Sequence, residues 1–320
     1  MDDFPKNLAE FREYFKTEES CVDYLIALRW PDGFECPICG SSNSRRTTRG
    51  LFECRKCLRQ TSVTAGTLFH NTRKPLRLWF EAMWHITNQK YGANALGLQR
   101  VLGLGSYHTA WRWLHKMRQA MVRPGRDTLS GIVEIDETYI GGESSGKRGR
   151  GADNKTLVAV AVEDKSETSA TGKGIGRIRL QLIHDASSES LNAFIRANVK
   201  TGSRVRTDGW RSYQSISDIG YEHTVVDPKS LNIAHLTISL LKRWLLGTYQ
   251  GAVNATHLNY YLDEFTFRFN RRTSGSRGKL FYRLVQQSLL SDPIPFSKIV
   301  GGKVAENSRG PETTAELHDL

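Results

Sequence analysis

An α/β fold in three parts is what this 320-residue sequence predicts. Three observations lead there. Two CxxC pairs lie near the N-terminus, apolar residues recur at helical spacing from about residue 67 to 126, and β-rich segments in the second half give way to alternating helices and strands. The length accommodates two or three compact units, each with its own core. At 39% hydrophobic and 10% aromatic residues, the composition excludes a disordered chain.

Four of the five cysteines form Cys36-Pro-Ile-Cys39 and Cys54-Arg-Lys-Cys57, fourteen residues apart, and Cys21 is left over. Two CxxC turns at this spacing present four thiolates to a Zn²⁺ ion, with Gly40 making the tight turn after the first pair. The intervening segment reads as strand, turn and strand, which predicts a zinc ribbon that together with an N-terminal segment spans residues 1–66. Arg45, Arg46, Arg49, Arg55, Lys56 and Arg59 cluster on it. They favour a phosphate contact over a pure scaffold, with a solvated basic face as the alternative.

Leu76, Trp79, Phe80, Met83, Trp84 and Ile86 repeat at three and four, so a helix is expected to open near Pro75. A short helix from about Ala93 to Leu102, a break at Gly103 to Gly105, and a longer helix from Ser106 to about Met121 follow. This is the layout of a helix-turn-helix, expected over residues 67–126. Ala110, Trp113, Leu114 and Met117 are assigned to its inner face. Arg112, His115, Lys116 and Arg118 are assigned to the outer one, with Arg112 and Lys116 as DNA contacts.

Strands are then expected at Ile132 to Ile140, Thr156 to Glu163 and Gly176 to Ile183. A helix capped by Ser187 or Ser188 comes next, then a strand at Ser203 to Thr207, a short helix near Trp210, a strand at His223 to Val226 and a long helix from about Ile233 to Leu246. Three hairpin-connected strands followed by alternating units describe a ribonuclease-H-like core of the integrase type, expected over residues 127–290. In that fold the middle of the first strand and the end of the fourth each carry an aspartate. Asp136 and Asp208 occupy those places. Two carboxylates converging at a sheet repel each other unless divalent cations lie between them, so the pair reads as a Mg²⁺ or Mn²⁺ site for phosphodiester chemistry. The alternative is an edge-strand acid facing water, with Glu134 and Glu137 as surface charges.

With 45 Lys and Arg against 33 Asp and Glu, the net charge is +12 and the sequence pI about 9.5. A polyanionic partner is expected. No apolar stretch reaches membrane-spanning length and the acidic, aromatic start does not resemble a signal peptide, so a cytoplasmic protein is predicted. Residues 291–320 lose periodicity and are expected to be a disordered tail.

Beyond these patterns, CPICG with CRKC, EIDETYIGG, TDGW, the segment from His235 to Arg272 and SRGKLFYRL resemble bacterial insertion-sequence transposases of the ISXO-like group (insertion sequence 1595 family). These join an N-terminal zinc ribbon to a DDE integrase-like core, and the resemblance runs from about Glu18 to Leu290. It implies binding to transposon terminal inverted repeats and target DNA, metal-dependent strand cleavage and strand transfer, and at least a homodimer on DNA. It also implies a third metal ligand on a C-terminal helix, followed seven residues later by Lys or Arg. His235 and Lys242 have that spacing, about 10.5 Å along one helix face. The reading is therefore Asp-Asp-His, a departure from Asp-Asp-Glu, with a helix-start packing role as the alternative for His235. Glu222, Asp227 and Glu264 are fallback carboxylates. Lys242, Arg243, Arg268, Arg271 and Arg272 are read as DNA contacts. Trp210 is either a nucleotide-stacking or a core residue. The loop bearing Lys147, Arg148 and Arg150 is either a hairpin tip or a DNA clamp. Two other functions stay open: a DNA-binding protein of transposase descent with an inactive core, and a structure-selective nuclease of the same fold.

Overall fold

The computed structural model of the chain describes residues 4–123, 125–141, 155–169, 174–251 and 253–302. Lys147, Arg148 and Arg150, like most of the expected tail, lie outside the described residues. In chain order the elements are α1 (Leu8–Tyr14), α2 (Glu18–Arg29), β1 (Ser44–Arg46), β2 (Phe52–Cys54), β3 (Gln60–Thr61), α3 (Leu76–Asn88), α4 (Ala95–Leu102) and α5 (Tyr107–Ala120). They continue with β4 (Ile132–Ile140), β5 (Thr156–Asp164), β6 (Ile175–Leu182), α6 (Ser188–Asn198), β7 (Arg204–Thr207), β8 (Glu222–Val225) and α7 (Asn232–Tyr249). Last come α8 (Leu258–Phe269), α9 (Arg277–Leu289) and α10 (Phe296–Val300). No helix among the described residues is long and apolar enough to cross a membrane.

Contacts divide these elements into two units, residues 4–126 with 247–249 and 267–300, and residues 127–246 with 250–266. The core unit therefore ends before the expected residue 290. The reason is α9, whose Leu280, Phe281, Leu284 and Val285 are buried with Phe11, Phe15, Phe80 and Trp84 of the first unit. Phe281 packs edge-on to Phe11 and Phe80, at ring separations of 5.4 and 5.6 Å. The tail expected from residue 291 also begins with order, since α10 buries Ile299.

In the first unit, α4 ends at Gly103 in the left-handed region (φ 61°), the break expected between the two helices. The division expected of a recognition helix is absent from α5. His115 and Arg118 are buried, 0% and 1% exposed, and Arg118 donates to the Ala93 carbonyl and the Tyr249 hydroxyl. Arg112 lies over the Phe296 ring at 3.4 Å, and burial, with Arg112 nearby, pushes the Lys116 ammonium down. The side expected to be open is thus partly occupied within its own unit, with Arg112 and Lys116 half-buried and Tyr107 and His108 exposed.

Arg268 likewise turns inward. Its guanidinium donates to the carbonyls of Ile86 (2.6 Å), Gln89 and Lys90 (3.0 Å), groups left over where α3 ends. Arg271 and Arg272 stack on Phe267 and Phe269 at 4.1 and 4.2 Å. Burial, reinforced by Arg283 and Arg123, lowers Arg271 to about 10. The strip expected to contact DNA is thus largely occupied within its own unit. Arg268→Ala is expected to destabilise the fold by about 1–3 kcal/mol. Thermal unfolding checks this, and an unchanged Tm with weakened DNA binding would restore the contact role.

The second unit is a five-stranded sheet in the order β6-β5-β4-β7-β8. β4 to β6 form antiparallel hairpins, and β7 and β8 run parallel to β4. Numbered within the sheet this is 3-2-1-4-5, the ribonuclease-H-like arrangement. One face of the sheet is closed by Val133, Ile135, Ala159, Ala161 and Val205 packing on Leu191, Phe194 and Ile195 of α6. Alternation along β4 therefore sends Glu134 and Asp136 to the other face.

Candidate active site and metal centre

The first chemical centre is the ribbon. In each knuckle the residue after the second cysteine turns left-handed, Gly40 at φ 66° and Leu58 at φ 60°. Each returns its amide to the carbonyl of the first cysteine at 2.9 Å. Cys36 and Cys57 approach to 3.6 Å, as do Cys39 and Cys54, and all four sulfurs lie within 4.8 Å of one another. Zn–S bonds of about 2.3 Å set tetrahedral edges of about 3.8 Å, so the set fits Zn²⁺. The amides of Cys57 and Lys56 help draw the Cys54 thiol down to about 6. The Ser41 amide also favours the Cys39 thiolate, but burial and the neighbouring sulfurs outweigh it and push Cys39 up to about 12. Sulfurs crowded enough to resist joint ionisation are what a divalent cation relieves. Among the described residues these four form the only such His, Cys, Asp or Glu group.

The second centre lies on the face of β4 that points away from α6 and meets the start of α7. Its ladder with β7 pairs Glu134 with Arg206, and Asp136 and Asp208 each follow two residues beyond that pair. The Asp208 carboxylate accepts from the Trp210 amide at 3.0 Å. Opposite them, His235 Nε2 lies 3.3 Å from Asp136 Oδ2, with half of the imidazole exposed. Burial raises the Asp136 pKa first, and the charges of Glu137 and Asp208 raise it further, while the Glu137 amide and His235 oppose them. The Asp208 charge thus acts on the carboxylate that the imidazole approaches. As a set of three, Asp136, Asp208 and His235 do not form a group closed to within 4.8 Å.

Lys242 is exposed on the same helix, seven residues on from His235. Burial of part of its stem and the charge of Lys155 lower its ammonium, and Asp136 acts in the opposite sense. Arg243 is exposed beside it. Trp210 donates its indole N–H to the Ala186 carbonyl at 3.3 Å and packs against the α6 side of the core, which favours the core role. The fallback carboxylates have other surroundings. Glu222 pairs with Arg204 at 2.8 Å, Asp227 caps a short turn through the Lys229 amide, and Glu264 is wholly buried in α8.

Two acids have more specific roles than the surface charges considered for them. Glu134 is 3% exposed and accepts the amides of Ile233 and Ala234 at 3.1 and 2.9 Å, where α7 begins. Glu137 accepts the Tyr213 hydroxyl at 2.6 Å. The available signal was the acid, apolar, acid alternation of Glu134-Ile135-Asp136, which puts Glu134 on the face of Asp136.

Residues 128–270 match the ISXO2-like transposase domain and residues 16–60 the transposase zinc-ribbon domain. A relative described as an uncharacterized protein in transposable element ISH50 of Halobacterium salinarum is 28% identical over 287 residues, 79% of this chain and 91% of its own. Among solved structures, a chain of the simian T-cell lymphotropic virus intasome in complex with PP2A regulatory subunit B56 gamma overlaps at TM-score 0.33. It is 19% identical, with 68% of this chain and 76% of that one covered. A chain of the pre-cleavage Mos1 transpososome overlaps at TM-score 0.27 and 13% identity, with 66% and 75% covered. At such overlaps neither structure assigns a residue here.

Proposed function

We propose that the chain, whose residues 128–270 match the ISXO2-like transposase domain and residues 16–60 the transposase zinc-ribbon domain, is a transposase of that family that binds the ends of an insertion sequence and catalyses metal-dependent strand cleavage and strand transfer. The observation that carries this reading is the approach of His235 Nε2 to Asp136 Oδ2 at 3.3 Å, with the Asp208 charge acting on the same carboxylate. Neighbouring oxygens in an octahedral Mg²⁺ shell lie about 3.0 Å apart, so a separation of 3.3 Å suits shared ligation as well as a direct ion pair. Asp136, Asp208 and His235 would hold the ion. When bound there, Mg²⁺ or Mn²⁺ supplies Lewis acidity toward a phosphodiester oxygen.

The chain's own groups do the rest. Lys242 and Arg243, exposed on α7, bind the phosphates of the transposon end and orient the scissile bond over Asp136. Tyr213 holds Glu137 on the opposite face, so that acid does not compete for the same charge. The basic ribbon residues add backbone contacts without sequence information. Paired ends require at least two copies of the chain on DNA.

Purified protein incubated with Mg²⁺ or Mn²⁺ and DNA bearing candidate terminal inverted repeats tests the reading. Joining of cleaved ends to a second duplex is the expected result, with two or more chains per paired-end complex in sedimentation. Binding without cutting would instead support an inactive core, and cutting of branched DNA regardless of end sequence would support a structure-selective nuclease.

A further inference from the structure

Helix α7 begins without a cap of its own. The residue preceding it is Leu231, and no side chain from its own N-terminus satisfies the first amides. Glu134 does so from β4, a hundred residues earlier in the chain, with one carboxylate oxygen taking the amides of both Ile233 and Ala234. The same device occurs at α3, where the residue before the helix is Pro75 and Glu18 accepts the amides of Leu76 and Arg77 at 2.7 and 3.1 Å. At α7 the consequence is different, because the residue after Ala234 is His235. Glu134 and Asp136 are alternate residues on one strand face, about 6.7 Å apart. A helix start fastened at Glu134 delivers its next side chain to Asp136.

We propose that Glu134 is a positioning residue for the active site: by fastening the first amides of α7 to β4 it sets the imidazole of His235 over the carboxylate of Asp136. The chemical importance of that placement rests on the transposase reading above; the placement itself does not. Half of the His235 side chain is exposed and its approach to Asp136 is the contact to be set, so the seating of the helix start decides where the imidazole lies. Replacement of Glu134 by a residue of equal reach should preserve the seating, and a shorter one should not. Gln keeps an acceptor oxygen at the same distance. Asp withdraws it by one methylene.

The test uses the full chain and two readouts. The first needs no metal: the chemical shift of the His235 imidazole is compared with and without Asp136→Asn, in the wild type and in Glu134→Asp. Seating by Glu134 predicts that the change caused by Asp136→Asn shrinks severalfold in Glu134→Asp and persists in Glu134→Gln. The second is Mn²⁺ binding measured by electron paramagnetic resonance. Supporting groups behind metal ligands typically govern 10- to 100-fold in affinity, so Glu134→Asp should weaken Mn²⁺ by about tenfold or more and Glu134→Gln by about threefold or less. DNA affinity should not change, because Lys242 and Arg243 are untouched. A Glu134→Asp protein that melts earlier yet keeps the wild-type response at His235 would make the carboxylate a cap and nothing more, overturning the proposal. If the wild type bound no Mn²⁺, the transposase reading would fail while the imidazole comparison still decided the role of Glu134.

Discussion

Asp136→Asn and Asp208→Asn, each made alone, are expected to reduce strand cleavage on the order of a thousandfold while leaving DNA-end affinity within about twofold. Asparagine keeps the shape of the side chain and removes the charge that would hold a cation, whereas in the proposed function docking falls to Lys242, Arg243 and the basic ribbon. Asp136→Asn should also raise Tm slightly in metal-free protein. Its carboxyl is raised above the ordinary value of 3.8 by burial and by the neighbouring charges of Glu137 and Asp208, so ionisation costs the folded state. The sign follows from that direction. The cost is absent below the ordinary aspartate range, grows as pH rises through the raised folded value, and is full above it. Cleavage assays on both variants, with melting curves in chelator, check the pair of outcomes. A variant cutting at the wild-type rate would remove that aspartate from the site.

Loss of zinc is the second large effect. The ribbon's own core is Phe34, Cys36 and Cys54, with Trp30 and Phe52 packed against them and Phe34 stacked on Phe52 at 5.0 Å. So few apolar side chains cannot order residues 31–60 without the metal, whose contribution in ribbons and fingers is about 10–16 kcal/mol at neutral pH. Cys36→Ser is expected to lower bound zinc from one per chain to none, open the ribbon to protease and weaken DNA binding. The helices around Phe11, Phe80 and Phe281 form a separate cluster and should stay folded. Zinc analysis with limited proteolysis checks this, and a variant retaining one zinc and the wild-type fragments would contradict it.

What the sequence disclosed divides by range. The strands β4 to β8, the break at Gly103 and a helix cap at Ser187 or Ser188, which the structure places at Ser187, follow from local pattern, and Asp136 and Asp208 were assigned from the expected strand order. The ribbon followed from cysteine spacing alone. Periodicity shows that a helix has an apolar face without naming its partner, which is why α9 was assigned to the wrong unit. Charged residues on α5 and α8 looked exposed because sequence does not show the Phe296 ring over which Arg112 lies or the α3 carbonyls that engage Arg268. Glu134 was hidden for the same reason: the amides it serves are a hundred residues away.

That separation has a consequence for the order in which the molecule is made. The ribbon closes through residues no more than 21 apart, whereas the link from Glu134 to Ala234 spans 100. Contacts this distant form late, after the costly loop between them has closed. On the ribosome, β4 emerges long before α7, and until α7 arrives neither His235 nor Lys242 exists to complete the cluster. A nascent chain thus completes its metal-stapled module well before the cluster around Asp136, so a product terminated before α7 would retain the former without the latter.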